Sequence, residues 1–222
     1  MKKTAIILGA SGLTGSHVLQ KLIDDDRYGI IKLFSRSKIE GLSSVKVQQF
    51  IGDLMNLDQF KADFTGDEVY CNIGTTKSKT PDKSTYKNID YGIPVAAAQL
   101  AKAKHIKTFI VVSAMGANKN SSVFYNKIKG EMEQGVLAPN LPITYILRPS
   151  LIGGNRKESR TLEKIGLKIF SLIQPLFIGP LKKFKVVNAN VIANTMIYLA
   201  NTKACKDTII ASDIINKLGK NN

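Results

Sequence analysis

The feature that most constrains this chain is the run Gly9-Ala10-Ser11-Gly12-Leu13-Thr14-Gly15, with three glycines spaced G-x-x-G-x-x-G directly after the apolar stretch Thr4 to Leu8. A short β-branched and aliphatic run that stops at a glycine reads as a buried parallel strand. From Gly12 to Asp24 the apolar residues Val18, Leu19, Leu22 and Ile23 recur at helical spacing, so the glycines lie between a strand and a helix. Each glycine then has a mechanical task. One permits the sharp turn, one lets backbone approach a ligand with no Cβ between, and one lets the helix pack closely on the strand. The free N–H groups and positive dipole end of the following helix suit a pyrophosphate. Alone, a glycine-rich turn could be only a tight loop. In this setting the run from Gly9 to Gly15 predicts a dinucleotide site.

Strand-like runs follow at Ile30 to Ser35, Val45 to Ile51, Glu68 to Ile73, Thr108 to Ser113 and Ile143 to Leu147. Between them lie a helical stretch from Pro81 to about Lys104, interrupted by Gly92 and Pro94, and an amphipathic one from Phe124 to Leu137. This alternation predicts one α/β domain over 1–222, a doubly wound parallel sheet of Rossmann type with helices on both faces. Past Pro149 the pattern loosens. Val186 to Asn201 reads as a helix, and Thr208 to Leu218 as a short strand and a terminal helix. A small appendage on the substrate side is expected, with 150–185 as a substrate lid or interface segment. Its stretch from Leu162 to Phe184 is basic, apolar and helical, but Gly166, Pro175 and Pro180 break it and argue against a membrane span. A lid, a self-association patch and a membrane-surface helix remain, in that order.

The second strand ends Phe34-Ser35-Arg36-Ser37-Lys38. About twenty residues past the turn, an acid would accept a hydrogen bond from the ribose 2′-hydroxyl of NAD. Here there is none, and Arg36 with the Ser35 hydroxyl suits a 2′-phosphate. NADP(H) is therefore the expected cofactor, against the plainer reading of an exposed arginine at a strand end.

The formal charge of +15 is spread over 32 Lys and Arg residues, with no long basic block and no zinc-finger, RNP or heptad pattern. That distribution speaks for a solvated surface and against a nucleic-acid reader. The opening MKKTAIILGA runs straight into the glycine turn, and Cys71 and Cys205 are the only cysteines. A cytoplasmic protein with two free thiols is expected, with Cys71 a packing residue inside an apolar run. His17 and His105 stand apart from other ligand types, so no metal site is expected.

In Tyr125-Asn126-Lys127-Ile128-Lys129 the tyrosine and the last lysine are four apart and share a helical face. Lys129 would then stabilise a phenolate and lower a pKa that is otherwise about 10. The alternative is a surface Tyr and Lys on an amphipathic helix. With the glycine turn, this pair resembles the short-chain dehydrogenase/reductase superfamily. The resemblance implies a catalytic set of Tyr125 as proton donor, Lys129 tuning it and holding the nicotinamide ribose, Ser113 orienting the reacting oxygen, and Asn88 positioning a water or the lysine.

Ile73-Gly74-Thr75-Thr76, Ser113-Ala114-Met115-Gly116-Ala117 and Leu147-Arg148-Pro149-Ser150 are more closely similar to the atypical branch that includes the Tat-interacting protein. The likeness runs from Thr4 to about Asn201. It implies NADPH with Gly9, Ser11, Gly12, Leu13, Thr14, Arg36, Asp53 and Leu54 around its adenosine and phosphates. Gly74 and Thr75 would lie near its ribose, and Pro149 to Leu151 near nicotinamide. Two functions follow: an NADPH-dependent oxidoreductase reducing a carbonyl of a small-molecule substrate of unknown identity, or a nonenzymatic NADPH-binding regulator read by another protein. A homodimer is compatible with either. A closed apolar pocket over the nicotinamide, with Tyr125 pointing into it, separates them, because a sensor has no use for one.

Overall fold

In the computed structural model, which describes residues 1–154, 185–202 and 205–220, the first strand β1 (Lys3–Leu8) is an interior strand of the main sheet. Its neighbours are β2 (Tyr28–Ser35) and β4 (Glu68–Cys71), with β3 (Val47–Ile51) at the outer edge beyond β2. On the other side come β5 (Thr108–Val112), β6 (Ile143–Arg148) and finally β9 (Ile209–Ala211). All six pairings are parallel, as the alternation of the sequence predicts. Two short strands that the sequence reading did not foresee, β7 (Ile152–Gly153) and β8 (Val187–Asn188), pair parallel beside it.

A parallel sheet covered on both faces needs apolar residues in both phases of each strand. Ala5 and Ile7 of β1 accordingly join Leu33, Ile110 and Leu147 in one core, against Val18 and Leu22 of α1 (Leu13–Asp24) and Met196 of α5 (Ala189–Asn201). Ile6 and Leu8 join Val69, Cys71, Phe109 and Val111 in the other, against Ala97 and Ala101 of α3 (Ile93–Ala103) and Met132 and Val136 of α4 (Phe124–Leu137). The terminal helix α6 (Ser212–Lys220) lies on α5 so closely that a Cβ on Gly219 would stand 2.1 Å from the Val191 carbonyl oxygen.

The helix expected after Pro81 is continuous rather than interrupted. α2 (Lys83–Lys87) starts on Asp82, whose carboxylate accepts the Thr85 N–H at 2.7 Å. A π turn over Asn88–Gly92 then leads into α3, and the Ile93 N–H reaches back to the Asn88 carbonyl. Pro94, which supplies no N–H, stands just after the π turn. The wide turn shifts the phase of the side chains, which matters at the site.

The segment from Leu162 to Phe184, and with it most of the expected lid or interface, lies outside the described residues. Among the described residues no helix is long and apolar enough to cross a membrane.

At the amino ends of the strands the buried Glu68 accepts the hydroxyls of Tyr28 and Tyr70 at 2.7 Å each and the Lys3 ammonium at 2.5 Å. Asn201, at the end of α5, donates to the Tyr28 hydroxyl at 2.7 Å and accepts from Lys3 at 2.8 Å. Burial first, then the carboxylate, raises Tyr70 well above the usual phenol range. Glu68→Ala would leave two hydroxyls and an ammonium without their acceptor. We expect a stability loss on the order of 3–5 kcal/mol, read as a lower urea midpoint.

Candidate functional site

Gly9 follows β1 in left-handed backbone, φ +82°, where a Cβ would stand 2.8 Å from the Asn72 carbonyl oxygen. Gly15, inside the first turn of α1, faces that same turn, and its Cβ would stand 2.1 Å from the Gly9 carbonyl oxygen. The Gly12 N–H closes the loop onto Gly9 at 3.0 Å. No side chain caps this end of α1 and no acid occupies its first turn, so its N–H groups remain for a ligand. Ser11 and Gly12 are exposed, Leu13 is half-buried, and Thr14 and Gly15 are buried. Such a cradle fits a pyrophosphate.

The neighbouring strand ends complete this half. Ser35 is buried and its hydroxyl donates to the Ser37 carbonyl at 2.8 Å, whereas Arg36 is exposed. Asp53, exposed after β3, accepts the Met55 N–H at 2.9 Å, and Leu54 is buried.

The other half centres on Lys129 of α4. Its ammonium is buried and lies 2.9 Å from Oδ1 of Asp90, a carboxylate that is 1% exposed and sits in the π turn. The second oxygen of Asp90 accepts the Thr75 N–H at 2.7 Å. Gly74 lies directly above: a Cβ there would be 3.6 Å from Asp90 Oδ1 and 3.7 Å from Lys129 Nζ. Burial works against the Lys129 ammonium, but Asp90 and then Tyr125 outweigh it and raise its pKa. Tyr125, one helical turn away and partly exposed, is raised as well, which corrects the expectation of a lowered phenol. Desolvation is the largest cause. Lys129 does pull the phenol down, and Asp90 pushes it back up.

Asn88 is exposed; the π turn carries Asp90, two residues on, to the lysine instead. Ser113 is buried just past β5, and its hydroxyl donates to Glu133 Oε1 at 2.6 Å. Arg148 donates to that oxygen at 2.8 Å and also to Oε2. The Ser113 hydroxyl thus belongs to a buried network with Glu133 and Arg148. Pro149 is buried and Leu151 exposed beyond β6. Cys71 is buried and its thiol is pushed up to about 11 by desolvation, which fits the expected packing role.

Asp90 and Glu133 are the two residues that the sequence reading missed. For Glu133 a signal existed: Tyr125, Lys129 and Glu133 are successive members of one i, i+4 series. For Asp90 there was none, because regular helical spacing does not anticipate a π turn. A cavity of about 380 Å³ lies on the far side of this network, lined by Asn118, Lys119, Gly130, Glu133, Leu137 and Arg148 among others. Tyr125 is not in its wall, so this cavity is not the pocket expected over a nicotinamide.

Comparison with known proteins agrees with this geometry. Residues 9–174 match a family described as NAD(P)H-binding. Protein fmp52-1, mitochondrial, of Aspergillus terreus is 31% identical over 96% of this chain and 97% of its own. Protein HTATIP2 of Rattus norvegicus is 33% identical over 76% of this chain and 70% of its own. The solved structure of MoeE5 in complex with UDP-glucose and NAD superposes with a TM-score of 0.69 at 13% identity, covering 93% of this chain and 75% of that one, and so shares the fold. The fungal relative is named mitochondrial, which overturns the cytoplasmic expectation.

Two outcomes follow. Gly15→Ala should abolish dinucleotide binding in a fluorescence titration, because the added carbon meets backbone that cannot give way. With a thiol protonated below pH about 11, Cys71 should escape iodoacetamide at pH about 8 in the folded protein and react once it is unfolded.

Proposed function

The chain belongs to the NAD(P)H-binding family, and from that premise we propose that it is an NADPH-dependent oxidoreductase of the short-chain dehydrogenase type that reduces a carbonyl of a small molecule. The observation that carries this reading is Lys129, buried beneath Gly74 with Tyr125 one turn away on the same helix. When bound, the dinucleotide supplies the hydride.

The chain's own residues do the rest. The Gly9–Gly15 turn and the α1 N–H groups hold the pyrophosphate, and Arg36 pairs with the 2′-phosphate. Lys129, which lies against Gly74, would hold a nicotinamide ribose hydroxyl. Tyr125 gives its phenolic proton to the carbonyl oxygen as the carbon accepts the hydride, and takes a proton back from water. Ser113, joined to Glu133 and Arg148, acts by fixing α4 against β5 and β6.

NADPH should bind more tightly than NADH, and Arg36→Ala should narrow the difference by about 1 to 3 kcal/mol in calorimetry. Equal affinities in the unchanged protein would remove the NADP assignment. Tyr125→Phe should abolish reduction while leaving NADPH affinity nearly unchanged, since the hydroxyl supplies a proton and little contact. If NADPH binds but no carbonyl in a broad screen is reduced, and a protein partner is recruited only in the bound state, the nonenzymatic regulator takes its place.

A further inference from the structure

We propose that Asp90 is a positioning residue of this site: it holds Lys129 beneath the loop that follows β4 and cancels its charge beside Tyr125, so that the tyrosine stands ready as a proton donor. The inference rests on the reductase reading and adds to it the protonation state in which the site works.

The geometry leaves the pair little freedom. Neither charge could stand alone at this depth, since an isolated buried ion costs far more than a pair. Each Asp90 oxygen has a separate partner, Lys129 on one side and the Thr75 N–H on the other, so the carboxylate fixes the lysine relative to the loop as well as to α4. The π turn is the device that puts it there, because it carries Asp90 inward and leaves Asn88 in solvent. π turns are uncommon and recur at functional sites. Gly74 lies against the pair, a Cβ there standing in ordinary contact with both groups at 3.6 and 3.7 Å.

The groups around the Tyr125 phenol can be named. Lys129 approaches from its own helix, Asp90 from the π turn and Tyr86 from α2, while Cys71 of β4 stands behind Lys129 with its thiol protonated. Lys83 lies over the adjacent Phe124 ring at 5.7 Å, and Lys87 pairs with Glu131 at 3.0 Å. An unpaired Lys129 would draw the phenol toward phenolate, the base that alcohol oxidation requires. With Asp90 in place the pull of Lys129 is opposed, and together with burial, the largest cause, this leaves the phenol displaced upward and protonated. In reduction the hydride forms the new C–H bond, the carbonyl π pair takes the phenolic proton to form O–H, and the dinucleotide is oxidised. The phenolate is then reprotonated from water.

The test is a pH titration of cofactor-free protein carrying 13Cζ-tyrosine, followed by NMR, with the Tyr125 signal identified by its loss in Tyr125→Phe. Asp90→Asn keeps an acceptor for the Thr75 N–H but loses the charge, and should lower the Tyr125 midpoint by on the order of one pH unit or more. Asp90→Glu should restore it toward the parent. An unchanged midpoint in Asp90→Asn would overturn the proposal. Should that variant not fold, the double variant Asp90→Asn, Lys129→Met removes the pair as a unit. Its Tyr125 should titrate within about half a pH unit of the parent, and a displacement beyond about one unit would count against charge cancellation. The measurement needs neither cofactor nor substrate, so its failure removes the role of Asp90 alone, while a normal titration without any turnover removes the reductase reading.

Discussion

Helix α1 approaches the end of β1 so closely that no side chain fits between them at Gly15. That contact sets the height and direction of α1, which packs Val18 and Leu22 onto the same face that α5 covers. It also aims the first-turn N–H groups at the crevice beyond the strand ends, where an open parallel sheet places its ligand. Gly9 extends the constraint sideways. Its Cα faces the Asn72 carbonyl, so the ends of β1 and β4 are tied together and the loop from Ile73 to Thr75 starts from a fixed point.

From that loop the arrangement of charge follows. Thr75 donates to Asp90, Asp90 holds Lys129, and Lys129 sits one turn from Tyr125 on α4. One turn further along α4, Glu133 ties the helix to Ser113 after β5 and to Arg148 at the end of β6. Two buried carboxylates, one from outside α4 and one on it, therefore fix the same helix, at Lys129 and at Glu133. A separate buried carboxylate, Glu68, performs the corresponding task at the amino ends of the strands.

The parallel sheet and the glycine turn were legible because their physical causes are local. Strands buried on both faces give unbroken apolar runs, and Gly9 and Gly15 mark a place where backbone must approach backbone. Tyr125 and Lys129 were legible for the same reason, four residues apart on a regular helix. What escaped notice depended on contacts distant in sequence or on irregular backbone. Asn88 appeared the natural helix residue until the π turn moved the inward phase to Asp90. Ser113 stands at the expected strand end, but its proton goes to a carboxylate twenty residues away. The tyrosine pKa was misjudged in sign because Lys129 was counted while desolvation of the phenol, the larger effect, and the opposing charge of Asp90 were not.

The central claim is that the glycine turn and the Lys129 pair serve one bound dinucleotide. The most direct measurement is a crystal structure of the protein grown with NADPH. The account places the pyrophosphate on the N–H groups of Leu13 and Thr14, the 2′-phosphate at Arg36 and a nicotinamide ribose hydroxyl within hydrogen-bonding distance of Lys129 Nζ. A dinucleotide bound elsewhere, or one on the glycine turn whose nicotinamide end lies away from Lys129 and Tyr125, would contradict it.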